Sequence, residues 1–255
     1  MGIKAKNLKV TDDAIRTIIQ DYTAESGVRG LKKQMNTLCR YAAVKLVKGE
    51  QKSITVNPKR LREFLDQKPI HHESILEEKQ PGVVTGLAWT SAGGEILFIE
   101  AMFTKGSGKI QVTGQLGDVM KESVQIAVSL VKSMYPESAA MWKENDLHIH
   151  VPAGAVPKDG PSAGITLTTA LASLVTGKAV SPQYAMTGEV SLRGGVMPIG
   201  GLPEKLMAAQ RAGVSKVFIP YENVEDLEDV ADEVKEKLEI IPVKKVKDVL
   251  KRLGL

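Results

Sequence analysis

The 255-residue sequence has one cysteine, four histidines and only 4% aromatic residues. The lone cysteine, Cys39, cannot close an internal disulfide, so a disulfide scaffold is excluded and a reducing compartment fits. It falls in a helical run and reads as a small core residue. Of the histidines, His71 and His72 lie in a polar stretch. His148 and His150 share one face of a strand-like run, where the bland reading is a half-exposed polar face. No further His, Cys or carboxylate cluster completes a metal site with them, and no metal is expected. No stretch reaches the roughly 18 apolar residues of a membrane span, and no secretory signal opens the chain. A phosphate-binding loop of the form G-x-x-x-x-G-K-[ST] is also missing. Gly108-Lys109 is preceded by Phe103 and followed by Ile110, and Gly177-Lys178 is flanked in the same way by Ala172 and Ala179. ATP hydrolysis is not expected of this chain. The net charge of +4 and pI near 9.0 permit weak DNA binding without arguing for it.

What is present is the composition of a globular protein, 43% hydrophobic and 25% charged. Residues 8–66 read as a small helical unit. Thr11 caps a helix with apolar positions at Ala14, Ile15, Ile18, Ile19 and Tyr22, ended by Gly27. A second helix runs from Leu31 to Gly49. A short extended piece, Ser53 to Val56, leads to a third helix from Pro58. A polar linker with Pro69 follows and ends at Pro81-Gly82. Strands are expected over Val83 to Thr90, Glu95 to Phe103 and Lys109 to Thr113, the last two joined as a hairpin by the 105–109 turn. Asp118 is placed as the cap of a helix reaching Met134. A strand from Leu147 to Val151 comes next, then a helical run to Val175. A hairpin spans Ala185 to Ile199, and a helix Pro203 to Ala212. The chain closes with a strand at 216–219, an acidic helix from Val224 to about Leu238, a strand to Val243 and a last helix from Val246 to Leu253. The fold class is α+β after a small all-α domain, with domains at 1–68 and 81–255 and a linker at 69–80. Met1-Gly2 reads as an added start, so a piece of a longer protein is expected.

Two stretches carry candidate chemistry. Pro157-Lys158-Asp159-Gly160-Pro161-Ser162-Ala163-Gly164 is a tight turn between strand and helix. Gly160 admits unusual backbone angles and Pro161 suits a first helical position, which puts Ser162 in the first turn beside free N–H groups. Such groups can hold an oxyanion beside a nucleophilic serine. They can equally be capped by that serine. The second stretch is Pro198-Ile199-Gly200-Gly201-Leu202-Pro203-Glu204-Lys205. Lys205 falls at the start of a helix, where the dipole disfavours a cation, with Leu202, Leu206, Met207 and Ala208 placed to desolvate it. Both effects favour the neutral amine that a serine needs as base. The alternative is an ordinary solvated lysine.

Together these stretches, with Met186-Thr187-Gly188-Glu189 between them, closely resemble the proteolytic domain of the ATP-dependent Lon proteases. Gly86-Leu87-Ala88-Trp89-Thr90 and Thr113-Gly114-Gln115-Leu116-Gly117-Asp118 extend the likeness upstream. The resemblance implies Ser162 as nucleophile and Lys205 as general base. Thr187 would orient the lysine, and Asp159 would stand at the mouth of the site in a loop that rearranges, with Gly160, Pro161 and Ala163 forming the oxyanion loop. Tyr22 to Arg29 resembles the start of the helical lid of the Lon AAA+ ATPase, where Arg29 would reach nucleotide phosphates in the full-length enzyme. The implied substrates are unfolded polypeptides and the implied assembly a homohexamer. ATP and magnesium would be needed only by the full-length enzyme, in the cytoplasm or, in a eukaryote, the mitochondrial matrix. A regulatory or nucleic-acid-binding assembly module is the alternative from another class.

Overall fold

The computed structural model describes every residue except Met1, Gly2, Ala5, Ala24, Ser26, His71, Ser91 and 153–155. The added start at Met1-Gly2, Ala24 and Ser26 of the lid-like motif, and His71 of the polar stretch lie outside the described residues. The chain forms two compact units, residues 1–72 with 91–93, and residues 73–90 with 94–255.

The first unit runs β1 (Leu8–Val10), α1 (Asp12–Asp21), α2 (Arg29–Val47), β2 (Ile54–Val56) and α3 (Leu61–Leu65). Thr11 caps α1, its Oγ1 accepting from the Ala14 N–H at 3.2 Å. One face of α1 (Ala14, Ile18), with Tyr22 at its C-terminal cap, packs with Leu38 and Ala42 of α2 and Leu61 of α3. Ile19 is turned out of this stripe and is half exposed. Residues 8–10 form a strand that no apolar run announces; β1 and β2 pair in parallel, Leu8 with Ile54 and Val10 with Val56. The Glu25 carboxylate caps α2 from outside, accepting from the N–H groups of Gly30 (2.7 Å) and Leu31 (2.9 Å). These bonds hold its carboxyl below the usual range. Arg29, the first residue of α2, is exposed.

The second unit is built on β3 (Val83–Thr90), β4 (Gly93–Lys105), β5 (Ile110–Thr113), α4 (Asp118–Met134), α5 (Ala139–Glu144), β6 (Asn145–His150), α6 (Gly164–Thr176), β7 (Tyr184–Met186), β8 (Glu189–Val190), β9 (Val196–Met197), α7 (Leu202–Ala212), β10 (Lys216–Pro220), α8 (Asp232–Lys235), β11 (Glu239–Val243) and α9 (Val246–Leu253). Seven strands form one mixed sheet in the order β11-β10-β7-β3-β4-β6-β5. Strand alternation divides the core between its two faces. Phe218, Met186, Ile99 and Ile149 face α4, α6 and α9. Val217, Ile219, Ala185 and Phe98 face α7 and α8. The apolar helix α6 is buried along almost its whole length because it lies between α4 and the sheet.

Three expectations are corrected. First, β4 and β5 are not a hairpin: β6 lies between them, antiparallel to β4 and parallel to β5. The 106–109 loop is folded instead around the Asp146 carboxylate, which accepts from the Ser107 and Lys109 N–H groups at 2.8 Å each. Second, Asp118 does not cap α4. Gly117 occupies the cap position, and the carboxylate that meets the helix start is Asp159, whose Oδ1 accepts from the Met120 N–H at 2.9 Å. Third, residues 224–238 are not one helix. A 3-10 stretch, Tyr221–Asp229, is cut from α8 by Val230, which is extended, and Ala231, which is also outside helical angles (φ -58°, ψ 138°).

Candidate active site

The strand-to-helix turn is irregular before it becomes α6. Gly160 adopts φ +127°, open to glycine and strained for other residues, and Pro161–Ala163 form a single 3-10 turn. Ser162 lies at its centre, half-buried. Its backbone carbonyl is held twice. The Gly188 N–H donates to it at 2.8 Å, and the Thr187 hydroxyl donates at 3.4 Å. The Ile165 N–H returns a bond to the Gly188 carbonyl at 3.0 Å. The serine turn is thereby fastened to the segment between β7 and β8, whose Thr187 is fully buried and whose own N–H is taken by the Phe218 carbonyl.

Upstream, residues 156–160 lie along the segment joining β5 to α4. Lys158 N–H donates to the Gln115 carbonyl and the Gly117 N–H to the Lys158 carbonyl. The Asp159 carboxylate faces the start of α4 and also takes the Gly160 N–H at 2.9 Å. Ala163 is buried, and Pro161 has no N–H to donate.

Lys205 comes to the same place from α7. Gly201 (φ +70°) starts that helix, and its carbonyl accepts from the Lys205 N–H. The lysine side chain is 2% exposed, and Nζ donates to Thr187 Oγ1 at 3.1 Å. Burial pushes its pKa down to about 8, with no charged neighbour contributing among the described residues. Leu202, Leu206 and Ala208 are buried around it as expected, but Met207 is 45% exposed and takes no part. Four residues from Leu202 to Leu206 make one helical turn, whereas Met207 falls on the outer face.

The hydroxyl of Thr187 has one proton, and the Ser162 carbonyl receives it. Toward Lys205 the oxygen can only accept. The amine thus spends an N–H on Thr187, and its lone pair when neutral is left for another partner. Ser162, Thr187 and Lys205 are brought together in this way. His148 and His150 are engaged with each other through Thr113, whose Oγ1 lies 2.9 Å from His148 Nε2 and 2.7 Å from His150 Nδ1. No group of three or more His, Cys, Asp or Glu suited to a metal occurs among the described residues, and no helix among them is long and apolar enough to cross a membrane.

One determinant of the site is invisible in the motifs. Gly94, on β4, is packed against the backbone of α7: a Cβ there would stand 2.0 Å from the Glu204 carbonyl oxygen and 3.0 Å from the Lys205 nitrogen. Backbone atoms cannot swing aside as a side-chain end can. Gly94→Ala is expected to destabilise the unit by about 1–3 kcal/mol in urea denaturation, the usual cost of overpacking. Unchanged stability in that variant would show that strand and helix have room to part. In the sequence the Gly93-Gly94 pair signals only a turn.

Comparison with known proteins gives the class. Residues 55–254 match the family model described as the Lon protease (S16) C-terminal proteolytic domain, which takes in the whole of the second unit but its last residue. Residues 1–54 match the Lon protease AAA+ ATPase lid domain. The chain belongs to the Lon protease family. It is 57% identical to the Lon protease of Clostridium beijerinckii over 100% of this chain and 32% of that protein. With the Lon protease of Methanosarcina barkeri it shares 51% identity over 98% of the chain and 32% of the relative, and with that of Brucella suis 48% over 98% and 31%. The chain thus spans about a third of the length of the curated relatives it matches. The two matches meet at 54/55, inside β2, whereas the compact units divide at 72/73. The physical boundary is the later one, because β2 is paired with β1 along its length.

Proposed function

We propose that this chain is the peptidase part of an ATP-dependent serine endopeptidase, hydrolysing peptide bonds of unfolded or damaged polypeptides with Ser162 as nucleophile and Lys205 as general base. The observation that carries the reading is the buried lysine, pKa about 8, linked through Thr187 to the Ser162 carbonyl. A buried amine with that pKa is substantially neutral near pH 8 and can take the Ser162 Oγ proton as Oγ attacks the scissile carbonyl carbon. Backbone N–H groups of the serine turn hold the oxyanion. The ammonium of Lys205 then returns the proton to the leaving amine, and the acyl-enzyme remains. Water attacks the ester, giving its proton to Lys205, and the Ser162 alkoxide is reprotonated as the acid product leaves. None of these steps calls for a cofactor.

The functional domains are taken as 1–68 and 81–255, joined by 69–80. In the full-length enzyme Arg29 would contact the phosphates of ATP, which with magnesium would drive a homohexamer that threads unfolded chains to Ser162. Its place is the cytoplasm, or the mitochondrial matrix in a eukaryote, and its net charge of +4 permits weak contact with DNA.

A peptide boronate tests the nucleophile. It is expected to add to Ser162 Oγ as a tetrahedral adduct, with the mass increase located on the peptide containing Ser162 and absent from Ser162→Ala. Labelling that persists in the alanine variant would remove Ser162 from the mechanism.

A further inference from the structure

Asn223 is buried, 3% exposed, within the 3-10 stretch Tyr221–Asp229. A buried amide must find partners for both its ends. This one spends them on the backbone of a single residue. Asn223 Oδ1 accepts from the Ile199 N–H at 3.0 Å, and Asn223 Nδ2 donates to the Ile199 carbonyl at 2.8 Å. The side chain therefore does for Ile199 what a neighbouring strand would do. The second Nδ2 proton goes to Asp226 Oδ2 at 2.6 Å, which fixes the orientation of the amide. A flipped amide would set donor against donor and oxygen against both a carbonyl and a carboxylate.

Ile199 stands immediately before Gly200-Gly201, the break from which α7 departs. Gly201 has φ +70°, and its Cβ, if it had one, would lie 2.7 Å from the Trp89 ring. Two consecutive glycines have little conformational preference of their own. The direction in which α7 leaves is therefore set by what holds each side of them. Downstream it is the packing of Leu202, Leu206 and Ala209 in the core and of Gly94 against Glu204. Upstream it is the Ile199 side chain, packed against the same core, and the Asn223 amide, which fixes both polar groups of the Ile199 backbone. Lys205 is the fourth residue of that helix, and its amine sits at the end of a flexible four-carbon stem in a site that must both exclude water and meet Thr187. A displacement of about 1 Å at a reacting group can cost on the order of 10²-fold in rate.

We propose that Asn223 is a positioning residue for Lys205, clamping the Ile199 backbone so that α7 delivers the amine to Thr187 and Ser162 in a dry setting. The inference rests on Lys205 being the general base, and its test has a readout that does not. The Lys205 pKa is measured by carbon-13 NMR of lysine labelled at Cε, in wild type, Asn223→Ala and Asn223→Asp, alongside peptidase kinetics. Asn223→Asp has the same shape; its oxygen still accepts from the Ile199 N–H, but donation to the carbonyl is gone and a second carboxylate faces Asp226. In both variants the Lys205 titration is expected to move up from about 8 toward the ordinary 10.5 as water reaches the amine. Concurrently kcat falls about 10²-fold with KM within about threefold. A folded variant that keeps the wild-type lysine titration and kcat overturns the proposal. So does loss of the fold in both variants, which would make Asn223 a structural residue only. A shifted titration with unchanged kcat would leave the positioning of Lys205 standing and remove the lysine from catalysis, which separates the two ideas.

Discussion

Replacing Lys205 with methionine is expected to abolish peptide hydrolysis and, at pH 7, to leave the protein more stable than the wild type. The two effects have one cause. Lys205 titrates near 8 in the folded protein against 10.5 for the free side chain. Between these values the unfolded chain binds a proton that the native protein does not, so stability rises with pH across the window. Below about pH 8 the full cost of burying the amine is present, about 3 kcal/mol for a gap of this size at a side chain 2% exposed. Methionine has a similar length and no charge to desolvate. It forfeits the bond to Thr187, about 1 kcal/mol, so a gain of about 2 kcal/mol remains at pH 7 and fades as the pH approaches 10.5. Urea denaturation at pH 7 and pH 10 measures this directly. A methionine variant less stable than wild type at pH 7 would contradict the burial. Lys205→Arg separates charge from basicity: its guanidinium stays protonated and cannot accept the serine proton. Its kcat is expected to fall about 10²–10⁴-fold, the range typical of a lost general base. In the wild type, kcat/KM is expected to rise with pH through about 8.

The parts of this candidate site that are legible in the sequence are side chains within short motifs. Ser162, Thr187 and Lys205 belong to stretches whose glycines and prolines announce turns and helix starts, and their order resembles one family. What was not readable acts between backbones far apart in the chain. Gly94 meets Glu204 across more than a hundred residues, and its only local signal is a turn. Asn223 meets Ile199 from a stretch whose pattern pointed elsewhere: Val230, Val234 and Leu238 recur every four residues and are all buried, as one face of a helix would be. They reach that burial from a joint after the 3-10 stretch (Val230), a short helix (Val234) and the residues beyond it (Leu238), because periodicity reports which residues are inside and leaves the path between them open. The 105–109 turn was misread for a related reason. Its glycines fit a hairpin, and nothing local reveals that β6, about forty residues on, would insert between β4 and β5.

Thr187→Val is the sharpest test of how the lysine is aimed. Valine keeps the branched shape in a position with no exposure, so packing is retained, while both hydrogen bonds of the hydroxyl disappear. The Ser162 carbonyl keeps the Gly188 N–H at 2.8 Å and the serine turn stays in place. The amine loses the oxygen that accepts from it. An accepting oxygen stabilises the ammonium more than the neutral amine, so its removal is expected to drive the Lys205 titration below about 8. The rising limb of kcat/KM then moves to lower pH. This is the opposite direction from a variant that admits water to the lysine, where the limb moves up. Despite the larger neutral fraction, kcat is expected to fall about 10²-fold, because the lone pair is no longer directed by a fixed N–H contact. Thr187→Ser restores the oxygen and is expected to recover both the wild-type limb and most of the rate. A Thr187→Val enzyme with unchanged kcat, or with its limb moved to higher pH, would show that the hydroxyl neither aims the amine nor accepts from it during the reaction.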